Sequence, residues 1–305
     1  MKIYDILIIG GGPAGYSAAL YGARSGFDTL VIEKMAPGGQ MALTDTIDNY
    51  PAFPDGVDGF TLGMTMQNHA ERFGAKTEYC EVVSVDFTKT IKEVVTSNGT
   101  FLSKTVIIAS GANPRELGIE KENDFVGRGV HYCAHCDGRF YKDKTVIVVG
   151  GGNTAAADAL HLSKLAKKTY LVHRRDSLRA TKIYHEPMMK SENITFLWNS
   201  AVLEILSEDR VVGAKIKDLS SGVECEIECD GIFVAIGRKP ATEFLSSNVA
   251  LDENGYIIAD ETTQTNIPGV FAVGDVRTKA FRQVITAASD GATAIHFAEE
   301  YINSL

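Results

Sequence analysis

Two glycine-rich turns, 140 residues apart, constrain the fold of this chain more than any other feature of its sequence. The first reads Gly-Gly-Gly-Pro-Ala-Gly over residues 10–15, and the second reads Gly-Gly-Gly-Asn-Thr-Ala over residues 150–155. Each follows an apolar run and precedes an alanine-rich stretch, which is the strand–turn–helix context of a dinucleotide-binding turn. There the backbone can approach a pyrophosphate at a helix N-terminus, where N–H groups and the helix dipole favour anions. The sequence therefore predicts two dinucleotide sites.

The two turns differ at the end of the second strand of each unit. Glu33 lies 23 positions after Gly10, whereas 23 positions after Gly150 the chain carries a basic run. A carboxylate suits a ribose with a 2′-hydroxyl, as in FAD, and guanidinium groups suit the 2′-phosphate of NADPH. A solvated basic turn is the alternative, and Asp176 could weaken a phosphate site. The basic residues are His173, Arg174, Arg175 and Arg179.

A Cys-x-x-Cys pair, Cys133 and Cys136, precedes the second turn and is followed directly by Asp137. Such a pair is either redox-active or half of a metal site. In the redox interpretation, a carboxyl group near the sulfurs can shuttle the proton that disulfide reduction and its reversal require. An ordinary Asp-Gly turn is the alternative for Asp137. His135, between the cysteines, could favour thiolate, but we expect a solvent-facing side chain.

A closed zinc site needs four ligands, and the other cysteines do not supply them. Cys225 and Cys229 lie at i and i+4 of a predicted strand, so their Cα atoms should be roughly 13 Å apart. We interpret them, together with Cys80, as passive thiols. His131 and His135 remain possible ligands, which keeps zinc as a minor alternative; the main prediction is that no metal is bound.

The order of the predicted elements indicates an α/β fold in which one nucleotide-binding domain is inserted into another. Ile3–Ile9, Pro13–Arg24 and Thr29–Glu33 form a first strand–helix–strand unit, and the pattern restarts at Thr145–Val149. The tail after Pro240, about 65 residues, is too short for a nucleotide domain of its own. We therefore predict two Rossmann-like, three-layer domains, with the NADPH domain inserted into a discontinuous FAD domain. The predicted boundaries are 1–113 (FAD), 114–242 (NADPH and the dithiol) and 243–305 (FAD).

Composition limits the partners and the compartment. A formal net charge of −9 argues against nucleic acid or an anionic membrane as the main partner. No apolar run approaches the ~20 residues of a membrane helix. The first apolar run is too short for a signal-peptide core. Five scattered cysteines do not form a secreted disulfide framework, so we expect a cytoplasmic protein.

Later segments carry further marks of a flavin site. A predicted buried strand ends in Gly274-Asp275, where an aspartate can meet a ribityl chain, and Arg282-Gln283 precede a predicted helix over 284–301. The loop Gly38-Gly39-Gln40 and Asn49 are further candidate contacts. For Gly274-Asp275 the alternative is an ordinary strand exit. For residues 38–40 and Asn49 the alternative is a polar loop.

Taken together and in order, these motifs resemble those of the bacterial-type, low-molecular-weight thioredoxin reductases. The resemblance rests on Gly-Gly-Gly-Pro-Ala-Gly, Gly-Gly-Gln at 38–40, Cys-Ala-His-Cys-Asp-Gly, Gly-Gly-Gly-Asn-Thr-Ala, His-Arg-Arg-Asp-Ser-Leu-Arg-Ala, Gly-Asp-Val and Arg-Gln. It implies FAD, NADPH, a homodimer and thioredoxin as electron acceptor. It also implies that Cys136 is the flavin-proximal sulfur, that Cys133 attacks thioredoxin, and that Asp137 is the acid–base residue.

The chain departs from the family pattern at His135 and at Ala156-Ala157-Asp158. The second departure leaves open a related flavoprotein that takes electrons from NADH or ferredoxin. Other rivals are a diaphorase or ferredoxin–NADP reductase with an incidental cysteine pair, and a redox-sensing binding protein. Because one inserted domain carries both the dithiol and the NADPH site, we expect that domain to rotate between half-reactions.

The resemblance and the motifs together give a full set of predicted cofactor contacts. For FAD these are Gly10, Gly12, Pro13, Ala14, Gly15, Glu33, Gly39, Gln40, Asn49, Val83, Ala109, Gly111, Gly274, Asp275, Arg282, Gln283 and Val284. For NADPH they are Gly150, Gly152, Asn153, Thr154, His173, Arg174, Arg175, Arg179, Ile236 and Gly237.

Overall fold

The computed structural model describes residues 2–44, 46–245 and 248–305, and the chain divides into two compact units. The first unit combines residues 1–113 with 239–305, and the second comprises 114–238. The functional domains predicted over 1–113, 114–242 and 243–305 stay a prediction. Which unit holds which cofactor stays a prediction at this point.

Strands and short helices alternate through both units. In chain order the strands are β1 Ile3–Ile9, β2 Thr29–Glu33, β3 Lys76–Tyr79, β4 Val82–Asp86, β5 Lys92–Thr96, β6 Gly99–Ile108, β7 Ala112–Pro114, β8 Val130–His131, β9 Thr145–Val149, β10 Lys168–Val172, β11 Ile194–Leu197, β12 Ser200–Ser207, β13 Val211–Asp218, β14 Glu224–Glu228, β15 Gly231–Val234, β16 Arg238–Pro240 and β17 Val270–Ala272. The α-helices are α1 Pro13–Arg24, α2 Gly59–Arg72, α3 Ala134–Asp137, α4 Asn153–Ser163, α5 Lys182–Met189 and α6 Val284–Asn303.

The first unit is built on a parallel sheet with β1 at its centre. Strands β2 and β3 follow on one side and β6 lies on the other, all parallel to β1. The second half of β6 pairs in parallel with β17, and its first half pairs antiparallel with β5, which leads to β4. One long strand thus joins a five-stranded parallel sheet to an antiparallel meander.

Both faces of this sheet are buried, as the uninterrupted apolar sequence of β1 predicts. Alternate residues point to opposite faces, so Ile6 and Ile8 pack with the helices α1 and α6. Leu7 and Ile9 pack on the other face with the meander and the C-terminal segment. The result is a three-layer Rossmann-like unit.

The second unit repeats this architecture around β9. Its parallel sheet has the order β11-β10-β9-β15-β8. Val146 and Val148 pack on the side of α4 and α5, whereas Ile147 and Val149 pack beneath the antiparallel sheet β12-β13-β14. The predicted fold, two Rossmann-like domains with one inserted into the other, is confirmed.

Some elements differ from the sequence-based expectation. Residues 101–103 and 106–109 were expected as separate strands, but β6 runs through both. The polar residues between them are satisfied inside the sheet, because Ser103 Oγ donates to the Thr105 carbonyl (2.7 Å) and Thr105 Oγ1 to the Asp5 carbonyl (2.9 Å). The helix expected over 154–166 ends at Ser163. Helices α2 and α5 were not predicted.

Candidate active site and cofactor-binding turns

The first glycine turn has the geometry of a nucleotide cradle. Helix α1 begins at Pro13, and a Cβ added at Gly15 would overlap the Gly10 carbonyl, so only glycine allows this approach of helix and strand. Glu33 closes the turn, because its Oε2 accepts a hydrogen bond from Gly11 N (2.7 Å). Among the described residues, the space beside Gly12 is open at the start of the helix, where a pyrophosphate would bind.

The polar loop predicted to contact FAD lies against this turn. Gly38 N donates to the Gly11 carbonyl (2.8 Å), which places Gly39 and Gln40 next to the glycines. Asn49 Nδ2 donates to Gln283 Oε1 (2.8 Å), across 234 residues of sequence. The fold thus brings together polar residues whose mutual contacts the sequence alone did not show.

The Gly-Asp turn is held by a buried ionic cluster. Gly274 N donates to Asp290 Oδ2 (2.8 Å), and the same carboxylate binds Arg277 Nε (2.9 Å) and Lys279 Nζ (2.8 Å). Burial alone would raise the pKa of Asp290, but the hydrogen bonds from Arg277 and Lys279 outweigh it and hold the pKa below its ordinary value. Asp275 therefore lies on a turn that α6 fixes in position.

The remaining predicted FAD residues lie on several elements of the first unit. Ala109 follows β6 and its carbonyl lies against Gly10. Gly111 accepts a hydrogen bond from Ala241 N (3.0 Å), and Arg282 NH2 donates to the Arg277 carbonyl (3.0 Å), just before Val284 begins α6. Val83 is exposed on β4, three residues after Cys80, whose N donates to the Glu33 carbonyl (2.9 Å). Its role stays a prediction.

The second glycine turn repeats the cradle, with a loop folded over it. The Gly151 carbonyl accepts hydrogen bonds from Arg179 N (2.8 Å) and Ala180 N (3.1 Å). Asn153 Oδ1, at the start of α4 beside Thr154, accepts from Thr181 N (2.8 Å). The basic loop that follows β10 is thereby tied to the nucleotide turn.

This loop exposes its arginines and buries its histidine. Arg174, Arg175 and Arg179 are exposed, whereas His173 is 4% exposed and lies so close that a Cβ at Gly151 would overlap its ring. Burial, with a further effect of these arginines, lowers the pKa of His173, so the ring is neutral at neutral pH. His173 therefore packs beneath the turn, whereas the three arginines are exposed, and their contact with a phosphate stays a prediction.

The end of β15 lies beside the same turn. A Cβ at Gly150 would overlap the Ala235 carbonyl, and Ile236 and Gly237 follow directly. The Gly237 carbonyl accepts a hydrogen bond from Arg115 N (2.9 Å). Among the described residues, the space beside Gly152 is open at the N-terminus of α4, where a pyrophosphate would bind.

The predicted redox pair forms a disulfide at the start of α3. Cys133 and Cys136 are bonded, with their Cα atoms 5.3 Å apart. Cys133 is the N-terminal cap of this short helix, and its sulfur accepts from Cys136 N (3.2 Å). Both cysteines are half-buried, so the disulfide is partly accessible.

Asp137 lies at the end of α3 in a chain of side chains that sequence analysis did not find. Its Oδ2 is 3.0 Å from His131 Nδ1, and His131 Nε2 is 2.6 Å from Tyr141 Oη. The only sequence signal was the position of His131 two residues before Cys133, which had suggested a zinc ligand instead. A carboxyl group is thus held one residue from the disulfide.

His135 makes different contacts from His131. Its side chain is 43% exposed, its ring stacks on His161 (4.3 Å between centroids), and its Nδ1 is 3.8 Å from Asp158 Oδ1. Burial raises the pKa of Asp158 to about 7, although Arg238 opposes the shift. The departures at His135 and Asp158 therefore meet at one place in the fold.

Across residues 2–44, 46–245 and 248–305, no group of three or more His, Cys, Asp or Glu side chains could hold a metal ion. Cys225 is exposed, Cys80 and Cys229 are buried, and burial raises the pKa of Cys229 to about 12. Within the described part of the chain, no helix is long and apolar enough to cross a membrane.

Comparison with known proteins gives the class of this site. The family described as pyridine nucleotide-disulphide oxidoreductase matches residues 4–291. Thioredoxin reductase of Listeria monocytogenes is 44% identical over 305 residues, which is 100% of this chain and 95% of that protein. Thioredoxin reductase of Treponema pallidum is 42% identical over 302 residues, 99% of this chain and 98% of that protein. The crystal structure of thioredoxin reductase from Streptococcus pyogenes superposes with a TM-score of 0.92 at 42% identity, covering 99% of both chains.

The chain therefore belongs to the pyridine nucleotide-disulphide oxidoreductase family, and the relatives that it matches over its whole length are thioredoxin reductases. FAD and NADPH are the cofactors of these enzymes. The two cradles fit them, since one is closed by a carboxylate and the other by exposed arginines.

Proposed function

We propose that this protein is an NADPH-dependent thioredoxin reductase whose dithiol is Cys133–Cys136. The observation that carries the proposal is the placement of a half-buried disulfide, a carboxyl group and an arginine-lined glycine turn within one compact unit. An incidental cysteine pair would not need Asp137 at its side, and an NADH site would not need the exposed Arg174 and Arg175.

The first unit would hold FAD and the second NADPH. Glu33 and the loop at Gly39 would bind the adenosine and pyrophosphate side of FAD, and Asp275 the ribityl side. Arg174, Arg175 and Arg179 would bind the 2′-phosphate of NADPH through charge-assisted hydrogen bonds. Bound FAD would supply the two-electron carrier between the nicotinamide and the disulfide.

The cysteine pair passes its electrons on by thiol–disulfide exchange. The Cys133 thiolate attacks the acceptor disulfide and forms a mixed disulfide, and one acceptor sulfur leaves as a thiol. Cys136 then attacks Cys133, which restores the internal disulfide and releases the second acceptor thiol. Asp137 takes the proton from the attacking thiol and returns one when the disulfide is next reduced.

The proposal includes a rotation of the second unit about its two chain crossings. The predicted FAD residues belong to one unit, and the dithiol and the predicted NADPH residues to the other. Each must reach the same flavin in turn, which a movement of the inserted unit would allow. Fluorophores placed one in each unit should report two distances whose populations change on reduction; a single unchanging distance would contradict the rotation.

The oligomeric state, the compartment and the electron acceptor that we propose follow from the same resemblance. We propose a homodimer in the cytoplasm, with thioredoxin or a thioredoxin-like protein as acceptor. A reducing compartment suits three unpaired cysteines. Light scattering on the purified protein should give twice the 33.0 kDa chain mass, and a monomer would overturn the dimer.

The test uses the Cys136→Ser variant and anaerobic titration. NADPH should bleach the flavin band in the variant and the wild type alike, because the nucleotide site is intact. Thioredoxin reduction should fall at least about 1000-fold in the variant, since no internal disulfide can form. Lys190→Ala, an exposed change in the same unit, serves as the control.

Retained thioredoxin turnover by the variant would contradict the proposed dithiol. Wild-type bleaching by NADH at equal concentration and rate would favour the alternative donor. No bleaching by either nucleotide, with reduction by ferredoxin, would favour a ferredoxin-fed flavoprotein.

A further inference from the structure

Asp137 is held by a histidine that the proposed exchange chemistry does not itself require. His131 lies on β8, is 7% exposed, and stacks on Phe233 (5.2 Å between centroids, 25° between planes). One ring nitrogen meets Asp137 and the other meets Tyr141, at 3.0 and 2.6 Å. The ring is therefore fixed by stacking and by both nitrogens.

The hydrogens in this chain of side chains follow from the chemistry of its two ends. Burial, assisted by the negative charge of Asp137, raises the pKa of Tyr141 well above its ordinary value, so the phenol keeps its hydrogen. A carboxylate oxygen can only accept, so a hydrogen bond to Asp137 Oδ2 requires a hydrogen on Nδ1 of His131. In that tautomer Nε2 accepts, and the phenol donates to it.

We propose that His131 is the positioning residue for Asp137: its Nδ1 holds the carboxyl group beside the cysteine pair, in the tautomer that pairs Nε2 with Tyr141. The inference rests on the proposed function and deepens it. During exchange, two electrons and two protons pass from the Cys133–Cys136 dithiol to the acceptor disulfide. Asp137 receives the proton of the attacking thiol, and the departing acceptor sulfur takes up a proton to leave as a thiol.

Other titratable groups among the described residues also act on this network, and the test alters none of them. Asp230, Arg210 and Cys229 act on Tyr141 from the ends of strands β13–β15. His135, on the same helix as Asp137, contacts Asp158 and His161 instead. The reduced Cys133 and Cys136 thiols ionise as the pH rises and shape the rate profile as well, so each variant is compared with the wild type at every pH.

The test measures the reaction of the reduced dithiol with a small aromatic disulfide, dithiobis(nitrobenzoate), as a function of pH. All variants and their wild-type reference carry Cys225→Ser, because Cys225 is an exposed free thiol that would also react with this reagent. The FAD-loaded protein is reduced with dithiothreitol and desalted, so neither NADPH nor thioredoxin is needed. Failure of this inference is therefore distinguishable from failure of the proposed acceptor. The variants are His131→Phe, which keeps the stacked ring but removes both nitrogens, His131→Asn, which keeps an N–H donor, and Tyr141→Phe.

In His131→Phe the reaction should be about tenfold slower at the acid end of the profile and little changed at the alkaline end, because a thiol that is not yet ionised needs a positioned proton acceptor. His131→Asn should restore most of the lost rate, and Tyr141→Phe should give a smaller loss over the same pH range. His296→Asn, an exposed histidine on α6, should leave the profile unchanged.

A purely structural role for His131 predicts a different pattern. The rate would then fall by the same factor at all pH values, and that result would overturn the inference. So would an asparagine variant that behaves like the phenylalanine variant. Flavin content and thermal unfolding of each variant establish that the comparison is made on folded protein.

Discussion

The burial of Asp158 makes the stability of the second unit depend on pH. Its pKa is raised from 3.8 to about 7, so the folded protein prefers the protonated form. Below pH 3.8 the group is protonated in both states and costs nothing. As the pH rises towards 7, the unfolded chain ionises first, and stability is lost over that interval.

Asp158→Asn should remove this pH dependence. At pH 8 the variant should exceed the wild type in free energy of unfolding by roughly 2–4 kcal/mol, and at pH 4 the difference should be small. Urea unfolding at both pH values measures it, with the exposed Asp209→Asn as control. Equal stabilities of the variant and the wild type at pH 8 would contradict this argument.

At the scale of elements, the start of α6 illustrates how one helix organises a distant turn. Asp290 lies in the second turn of α6 and binds Gly274, Arg277 and Lys279. Its lowered pKa means that the stability of this cluster is present above the ordinary carboxyl range and lost as the pH falls through the folded value.

Asp290→Asn should destabilise the first unit by about 3–5 kcal/mol, because two buried cations lose their counter-charge. It should also weaken FAD binding, since the Gly274-Asp275 turn loses its anchor. Thermal unfolding and the fluorescence of released FAD measure the two effects. Glu300→Gln, an exposed change on the same helix, should alter neither; an unchanged melting temperature for Asp290→Asn would refute the argument.

Elements with strong local signals were predictable and those without were not. Helix α1 has glycines before it and Pro13 at its first position, and its bounds were predicted as observed. Helix α2 contains two glycines and many polar residues, and α5 contains Pro187, so the sequence gave no clear helical signal for either, although both are amphipathic in the structure. Strand β6 was divided because its middle is polar, and only the neighbouring strand β1 shows why that is tolerated.

At the scale of the whole molecule, each unit closes on itself where the chain enters and leaves. In the first unit Ala241 N donates to the Gly111 carbonyl (3.0 Å), and in the second Arg115 N donates to the Gly237 carbonyl (2.9 Å). The two ends of each unit are therefore neighbours. Insertion of one compact unit into another at such a point leaves both cores intact.

We expect each unit to fold alone. A chain with residues 114–238 replaced by a short Gly/Ser linker should be soluble and yellow with FAD, but should not oxidise NADPH. Residues 114–238 alone should fold with the Cys133–Cys136 disulfide and bind NADPH, but this unit should not be yellow because it holds no FAD. Absorbance spectra and circular dichroism test both, and an unfolded or colourless outer unit would contradict the independence of the two cores.

The sequence by itself determined the two nucleotide turns, the inserted order of the domains and the identity of the redox pair. Each of these depends on local chemistry: glycine conformation, apolar strands, and two cysteines spaced one helical turn apart. Only the tertiary structure decided that His173 packs beneath its turn, that Asn49 meets Gln283, and that Asp137 is held by His131. Those contacts join residues whose positions are set by strand pairing and burial, and no local pattern records which side chains the packing will bring together.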